Sequence, residues 1–514
     1  MKKIFIISFL TLLSVDLSAD VRLASLFTDN MVIQRGKIVN VWGEADPGEN
    51  INLLFNSQRV NTSADDKGNW LIKLSPMEAG GPFEFTVEAK NKIILKNVMV
   101  GEVWICSGQS NMEFTLKKSD GGEEEIAKAD YPSIRIFFVE HKVADSPQKY
   151  CDGEWKVCSP TTIGQFSGAA YFFGKKLFSE LNVPIGLIQS TWGGTPAEAW
   201  MAKDLLESDD DFKPILIRWD QKMKDYPAAL EEFNRSGKAF IDAWKKDSAN
   251  AVTKGMAPPR KPSKPEGPGT RNQPAGLYNG MIFPLAPISF RGVIWYQGEA
   301  NASRAFQYRK LFPALITNWR KLWNSGDFPF YYVQLPNLSR QPEPSKSGWA
   351  ELREAQLMTL ALPNTGMAVT IDIGDPANLH PENKADVGFR LALIALDNVY
   401  DRDEFFYSGP IYKSMTKEKN KILISFNHIA EGLAARENKP LRGFKICGKD
   451  KKFVDADAAI LDGKVIVWND QISEPVSVRY AWADNPDCNL INSGGLPASP
   501  FRTDDWPEVT FGKK

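Results

Sequence analysis

The stretch Gly101-Glu-Val-Trp-Ile-Cys-Ser-Gly-Gln-Ser-Asn-Met-Glu113 decides how the chain is read. Val103, Trp104, Ile105 and Cys106 form a short apolar run without helical spacing, so the segment opens as a buried strand. The strand stops at Ser107-Gly108, where glycine permits a sharp backbone reversal. Gln109, Ser110 and Asn111 follow at once, and Met112, Glu113 and Phe114 can begin a helix. A small hydroxyl residue on such a turn holds its oxygen clear of the sheet, beside the first backbone N–H groups of the helix. A serine nucleophile needs that geometry. The spacing departs from the G-x-S-x-G elbow, because Met112 stands where the second glycine falls. A strand end followed by an ordinary Ser N-cap leaves the same signature, so the turn alone leaves both readings open.

Outward from this turn, residues 99–400 alternate strands with helices. Short apolar runs at 134–139, 184–189, 292–296, 328–334 and 367–372 suit buried strands of a mostly parallel sheet. Helical spacing marks 169–181, 306–322, 350–361 and 383–399. An α/β core of this kind places its site at the carboxyl ends of the strands. A charged, helix-prone insertion and a Pro/Gly-rich run, about 203–275 together, interrupt it; so many prolines read as linker or exposed loop. Residues 20–98 alternate apolar and polar between turn signals such as Asp46-Pro47-Gly48, predicting a small antiparallel β-sandwich. Residues 401–514 return to β, predicting a second β domain.

Cys106-Ser-Gly-Gln-Ser-Asn-Met-Glu113 resembles the nucleophile block of the SGNH hydrolases and, more narrowly, of the sialate O-acetylesterase family of carbohydrate esterases. Three further blocks match in order: Thr191-Trp-Gly-Gly-Thr-Pro-Ala-Glu-Ala-Trp200, Gly292-Val-Ile-Trp-Tyr-Gln-Gly-Glu-Ala-Asn301 and Asp372-Ile-Gly-Asp-Pro-Ala-Asn-Leu-His-Pro381. The likeness runs from about Val21 to Trp506. It implies an SGNH-like three-layer α/β/α catalytic domain with a parallel sheet, flanked by N- and C-terminal β domains. It also implies a serine esterase that removes O-acetyl groups from sugars, with O-acetylated sialic acid as the family's namesake substrate.

The chain has 514 residues, 43% hydrophobic and 24% charged, with a net charge of -1. That length supplies ample core for several domains. Its near-neutral balance makes no electrostatic case for nucleic acid or an anionic membrane as partner. Met1-Lys2-Lys3, an apolar run to Val15 and Leu17-Ser18-Ala19 read as a signal peptide over 1–19, so the protein is expected to be secreted or periplasmic. No Cys follows the cleavage site, so no lipid anchor is expected there. Of the five cysteines, Cys151 and Cys158 flank turn-like residues and are spaced for a local disulfide or two buried thiols. No Cys/His cluster has metal-ligand spacing, and acetyl transfer through serine needs neither metal nor cofactor.

A serine nucleophile needs a base, and only His141, His380 and His428 are offered. His380 lies in a loop after a late strand, where SGNH hydrolases keep theirs, and is assigned the role; the other two read as structural. The orienting acid is less direct. Ala377 stands three residues before the histidine, where SGNH enzymes usually carry Asp, and Asn378 stands where the narrower family often has an acid. Asp375, Asp372 or a backbone carbonyl can then orient His380. Asp375 is the nearest carboxylate before it, and on that reading Asp375→Asn costs at least about tenfold in turnover.

For the oxyanion, the resemblance implies the Ser110 N–H, Gly193 and Gly194, and the Gln297 amide. Asn111, Glu299, Asn301 and Arg304 are candidate substrate contacts, with Arg304 or Arg353 available to a sialate carboxylate. Glu299 reads as a site-shaping hydrogen-bonder rather than half of a glycosidase carboxylate pair. Acetylated xylan or a similar polysaccharide fits the same mechanism. A non-catalytic carbohydrate-binding protein on a decayed esterase scaffold, and a glycosidase, are the readings from other classes.

Overall fold

The computed structural model describes residues 20–253, 259, 261–338 and 347–514; the expected signal segment lies outside them. Its architecture is mixed α/β around a large mixed sheet of eleven strands. The spine is the 17-residue strand Lys92–Gly108. Its first half alternates exposed and half-buried residues, as a one-sided strand should, whereas everything from Val98 onward is buried. The first half pairs antiparallel with Gly80–Glu88, and Met99–Gly101 take Val32–Gln34 in parallel. The second half is flanked in parallel by Ile185–Thr191 and Gly292–Tyr296. Around it the order is Trp155–Cys158, Tyr131–Phe138, Ile185–Thr191, Lys92–Gly108, Gly292–Tyr296, Phe330–Val333 and Thr365–Ala368, only the first pair being antiparallel. The boundary expected at 98/99 falls inside the spine strand, and one hydrophobic core runs from Val21 to Leu396 across it. A second core, from Ile422 to Phe501, lies under the C-terminal strands.

The helices form where apolar spacing provides a buried stripe. In Ala305–Trp323, Leu311, Phe312, Leu315, Ile316, Trp319 and Trp323 recur at helical intervals and are all buried. Asn324 then turns left-handed at φ 47° and ends the helix. Trp295 of the sheet packs on Trp319 with ring centres 5.7 Å apart. Trp104 of the spine strand, registered with Gly292 rather than Trp295, meets Phe173 of Gly168–Leu181 at 5.1 Å. Gly168–Leu181 lies in turn against Ala385–Tyr400, so closely that a Cβ on Gly388 would sit 2.6 Å from the Ala169 carbonyl. The insertion contains a 41-residue helix, Lys213–Thr253, which accommodates Pro227. No helix among the described residues is long and apolar enough to cross a membrane.

One local expectation resolves in the core, and a buried charge cluster appears beside it. Cys151 and Cys158 are free thiols, both buried, and burial pushes them up to about 11 and about 12. Glu102, fully buried in the spine strand, takes Arg35 at 2.5 Å, Arg291 at 2.7 and 2.9 Å and the Gln34 amide at 3.1 Å. One carboxylate thereby joins the segment after Val32–Gln34 to the segment before Gly292–Tyr296. Burial works to raise its pKa, but Arg291, Arg35 and Gln34 outweigh it and hold the group below the ordinary 4.5. Its stabilisation is therefore present above the unfolded value and is lost as pH falls through the lower folded value. Glu102→Ala, which strands two guanidinium groups, is expected to cost about 3–5 kcal/mol, read as a lower denaturation midpoint at neutral pH.

Candidate active site

At the end of the spine strand Gly108 has φ 136°, and a Cβ there would lie 2.2 Å from the Tyr296 carbonyl oxygen. Only glycine fits. The turn is pinned on both sides: the Gln109 N–H donates to Tyr296 O at 3.0 Å, and the Trp192 N–H to Gly108 O at 3.2 Å. Ser110 then opens a single helical turn, Ser110–Glu113, which leaves its N–H without an intrahelical carbonyl. The loop between Thr365–Ala368 and Ala385–Tyr400 brings His380 to it, and the His380 Nε2 stands 2.8 Å from the Ser110 Oγ. The imidazole stacks on Phe114, with ring centres 6.3 Å apart and planes 25° from parallel. Burial, then the Lys384 and Lys118 charges, push His380 below the ordinary 6.5. Burial and these charges favour the neutral imidazole beside the Ser110 hydroxyl.

The orienting acid is not where the spacing puts it. Asp375 is exposed, and its Oδ1 accepts the Ala377 N–H at 2.8 Å in a local turn. Asp372 is held by Arg390 at 2.6 and 2.8 Å and by Arg436 at 2.6 Å. Asn378 accepts the His380 backbone N–H at 2.9 Å, fixing the main chain rather than the ring. Among the described residues, no carboxylate bonds the imidazole.

The expected oxyanion donors are also redistributed. Gly193 packs against Ser110, a Cβ on it falling 3.2 Å from the Ser110 Cβ, but its N–H donates to the Glu113 Oε2 at 2.6 Å. Gly194 is exposed, φ 76°, with the Arg271 guanidinium beside it. Gln297 is fully buried: its amide donates to Asn301 Oδ1 at 2.7 Å and Thr195 O at 3.2 Å, and its Oε1 accepts the Tyr308 hydroxyl at 2.9 Å. The resemblance offers the Gln297 amide to the oxyanion, whereas its packing spends both ends of that amide on the scaffold.

None of the four candidate substrate contacts lines the cleft in front of Ser110. Asn111 is fully buried and donates to Glu299 Oε1 at 2.6 Å and Leu379 O at 3.1 Å. Asn301 accepts the Ala197 N–H at 2.9 Å and donates to Glu198 at 2.8 Å. Arg304 pairs with the same Glu198 at 2.6 Å. Arg353 is buried, its guanidinium on the carbonyls of Leu335, Pro336, Ala483 and Asp484.

The cleft itself holds about 850 Å³, with Ser110 and His380 in its lining beside Glu113, Glu140, Glu154, Lys118 and Lys156. Sequence reasoning missed Glu113 as a site group, although it lies three residues after Ser110, the helical spacing that shares a face. Its Oε1 lies 3.1 Å from the His141 Nε2, and His141 stacks on Trp192 at 4.1 Å. His141 thus borders the site rather than the distant core. His428 sits among the C-terminal strands against Tyr407.

Residues 100–232 and 272–396 match the family described as carbohydrate esterase, sialic acid-specific acetylesterase. The fold and the match define a carboxylic ester hydrolase, and the chain belongs to this carbohydrate esterase family. It is similar to the sialate O-acetylesterases of Rattus norvegicus and Homo sapiens, each 28% identical over 93% of this chain and over 94% and 92% of theirs. It is also similar to the crystal structure of XAC1771, described as a novel carbohydrate acetylesterase from Xanthomonas citri: 36% identity, TM-score 0.81, covering 95% of this chain and all of that one.

Because Asp375 does not touch the imidazole, Asp375→Asn is expected to change turnover by less than about twofold, against the roughly 10⁴ that a triad carboxylate carries. A tenfold loss in steady-state ester hydrolysis would restore it to the site.

Proposed function

We propose that the protein is a secreted carbohydrate esterase that hydrolyses O-acetyl esters of sugars, O-acetylated sialic acid first among them, through an acetyl-Ser110 intermediate with His380 as base. The 2.8 Å contact between His380 Nε2 and Ser110 Oγ, at the wall of a cleft large enough for a sugar, carries this reading. The arrangement supports an SGNH-type α/β/α catalytic domain between β domains, and the amino-terminal segment supports export. Ser110 Oγ attacks the acetyl carbonyl while His380 Nε2 takes its proton. The oxyanion forms beside the Ser110 N–H; the Gly193 N–H joins it once Glu113 yields the bond it holds. His380 returns the proton to the sugar oxygen as the C–O bond breaks. Water, deprotonated by the same nitrogen, then releases acetate from the serine.

The cleft's charges bear on the sugar. Lys118 and Lys156 suit a sialate carboxylate, and neither arginine offered by the sequence lines the cleft. Glu113, Glu140 and Glu154 line the same walls and favour a second reading, a neutral acetylated polysaccharide such as acetylxylan.

Acetate release from O-acetylated sialic acid and acetylated xylan, measured in parallel, tests both readings. Ser110→Ala is expected to lower kcat at least about 10⁴-fold; residual release near wild type overturns the serine mechanism. Lys118→Ala is expected to raise KM for the sialate several-fold more than for xylan, and an equal effect on both favours the neutral sugar. His380 must be neutral to act, so kcat/KM rises with pH through its folded value. That acid limb is expected below the ordinary 6.5; a limb above it contradicts the burial argument.

A further inference from the structure

Lys384 is the buried titratable group that the hydrolysis just described leaves without a task. It is fully buried at the start of Ala385–Tyr400, yet its Nζ donates to Pro381 O at 2.7 Å and to Asn111 Oδ1 at 2.8 Å. Asn111 in turn donates to Leu379 O at 3.1 Å and to Glu299 Oε1 at 2.6 Å. The residue after Ser110 is therefore tied to the residues on both sides of His380. The ammonium also lies 4.8 Å from the centre of the Phe114 ring, on which His380 stacks, and 5.5 Å from that of Tyr296, whose carbonyl pins the nucleophile turn.

We propose that Lys384 is a positioning residue of the ester hydrolysis: with Asn111 it braces the nucleophile turn to the histidine loop, taking the positioning part of a triad carboxylate's role but not its stabilisation of the imidazolium. The inference rests on the Ser110–His380 reading. In a triad the acid holds the imidazole ring itself. Here the ring lacks a carboxylate among the described residues, and register is set by carbonyls 379 and 381, one residue to either side of it. A neutral amide would serve as a mere brace at less desolvation cost, so a buried ammonium implies an electrostatic task as well. Burial lowers Lys384 to about 7, against Glu299 and Asp120, which favour its charge. While charged it disfavours the imidazolium, as Lys118 does from the cleft side; Glu113 shares the same cleft. The base thus stays unprotonated in mild acid without a partner acid.

The experiment compares wild type, Lys384→Met, Lys384→Gln and Asn111→Ala. Its readouts are p-nitrophenyl acetate hydrolysis across pH, fluorophosphonate labelling of Ser110, and thermal midpoints. Lys384→Met is expected to lower kcat at least about tenfold with KM nearly unchanged, and to move the acid limb to higher pH because a cation beside His380 is gone. Its thermal midpoint is expected to fall, since Asn111 Oδ1 and Pro381 O lose their donor, so kcat and the limb are read at temperatures where the variant is folded. Asn111→Ala is expected to lower kcat comparably while leaving the limb in place, because asparagine carries no charge. Lys384→Gln keeps a donor but no charge: it is expected to recover part of kcat yet keep the shifted limb, and it reads the same limb should Lys384→Met fail to fold. Unchanged kcat in folded Lys384→Met or Asn111→Ala, or an unmoved limb in both Lys384 variants, overturns the inference. If wild type itself neither labels nor hydrolyses the ester, the Ser110 reading falls and takes this one with it; if wild type labels, the outcome concerns Lys384 alone.

Discussion

The constraint on which the rest of the structure depends is the approach of the Gly108 Cα to the Tyr296 carbonyl, where any side chain would overlap the neighbouring strand. It arises because one strand, Lys92–Gly108, serves the amino-terminal strands along its first half and the parallel strands along its second. Two strands flank its end, and each contributes one hydrogen bond to the turn, from Gln109 N–H to Tyr296 O and from Trp192 N–H to Gly108 O. Ser110 is therefore positioned by three strand ends rather than by a flexible loop. Holding a hydroxyl this way removes in advance much of the orientational freedom that a reaction at it would otherwise have to lose. The Glu102 cluster, six residues upstream on the same strand, locks the register on which that turn relies.

The site runs on unusual electrostatics for a serine–histidine pair. A triad carboxylate raises the basicity of its imidazole and stabilises the imidazolium. Here the carboxylates offered by the preceding loop are consumed, Asp372 by two arginines and Asp375 by its own turn. The charges that do reach His380 are lysines, and with burial they favour the neutral ring. The imidazole is thereby less basic but unprotonated over a wider range of pH.

Around this pair, polar side chains are spent on architecture. Gln297, Asn301, Glu198 and Arg304 form one satisfied network beneath the loop after Gly292–Tyr296. Buried polar groups left half-satisfied cost more than an apolar core, so a network of this size must close on itself. Glu113 divides its carboxylate between the Gly193 N–H and His141. It holds the glycine turn against Ser110 and carries negative charge into the cleft.

What the sequence determined by itself was whatever short-range signals encode. The α/β alternation was legible because buried strands and amphipathic helices have different periods: the spacings at 169–181 and 306–322 became Gly168–Leu181 and Ala305–Trp323. That Ser110 and His380 stand together was legible because glycine marks a reversal after an apolar run and the resemblance puts a histidine in the late loop. Tertiary structure alone decided what surrounds them. Spacing puts Asp375 five residues from His380, but the loop folds that carboxylate onto Ala377. The carboxylate of Glu113 reveals its partners, the Gly193 N–H and His141, only once segments distant in sequence lie side by side. Lys384 meets Asn111 across 273 positions, and no local pattern carries a contact of that range.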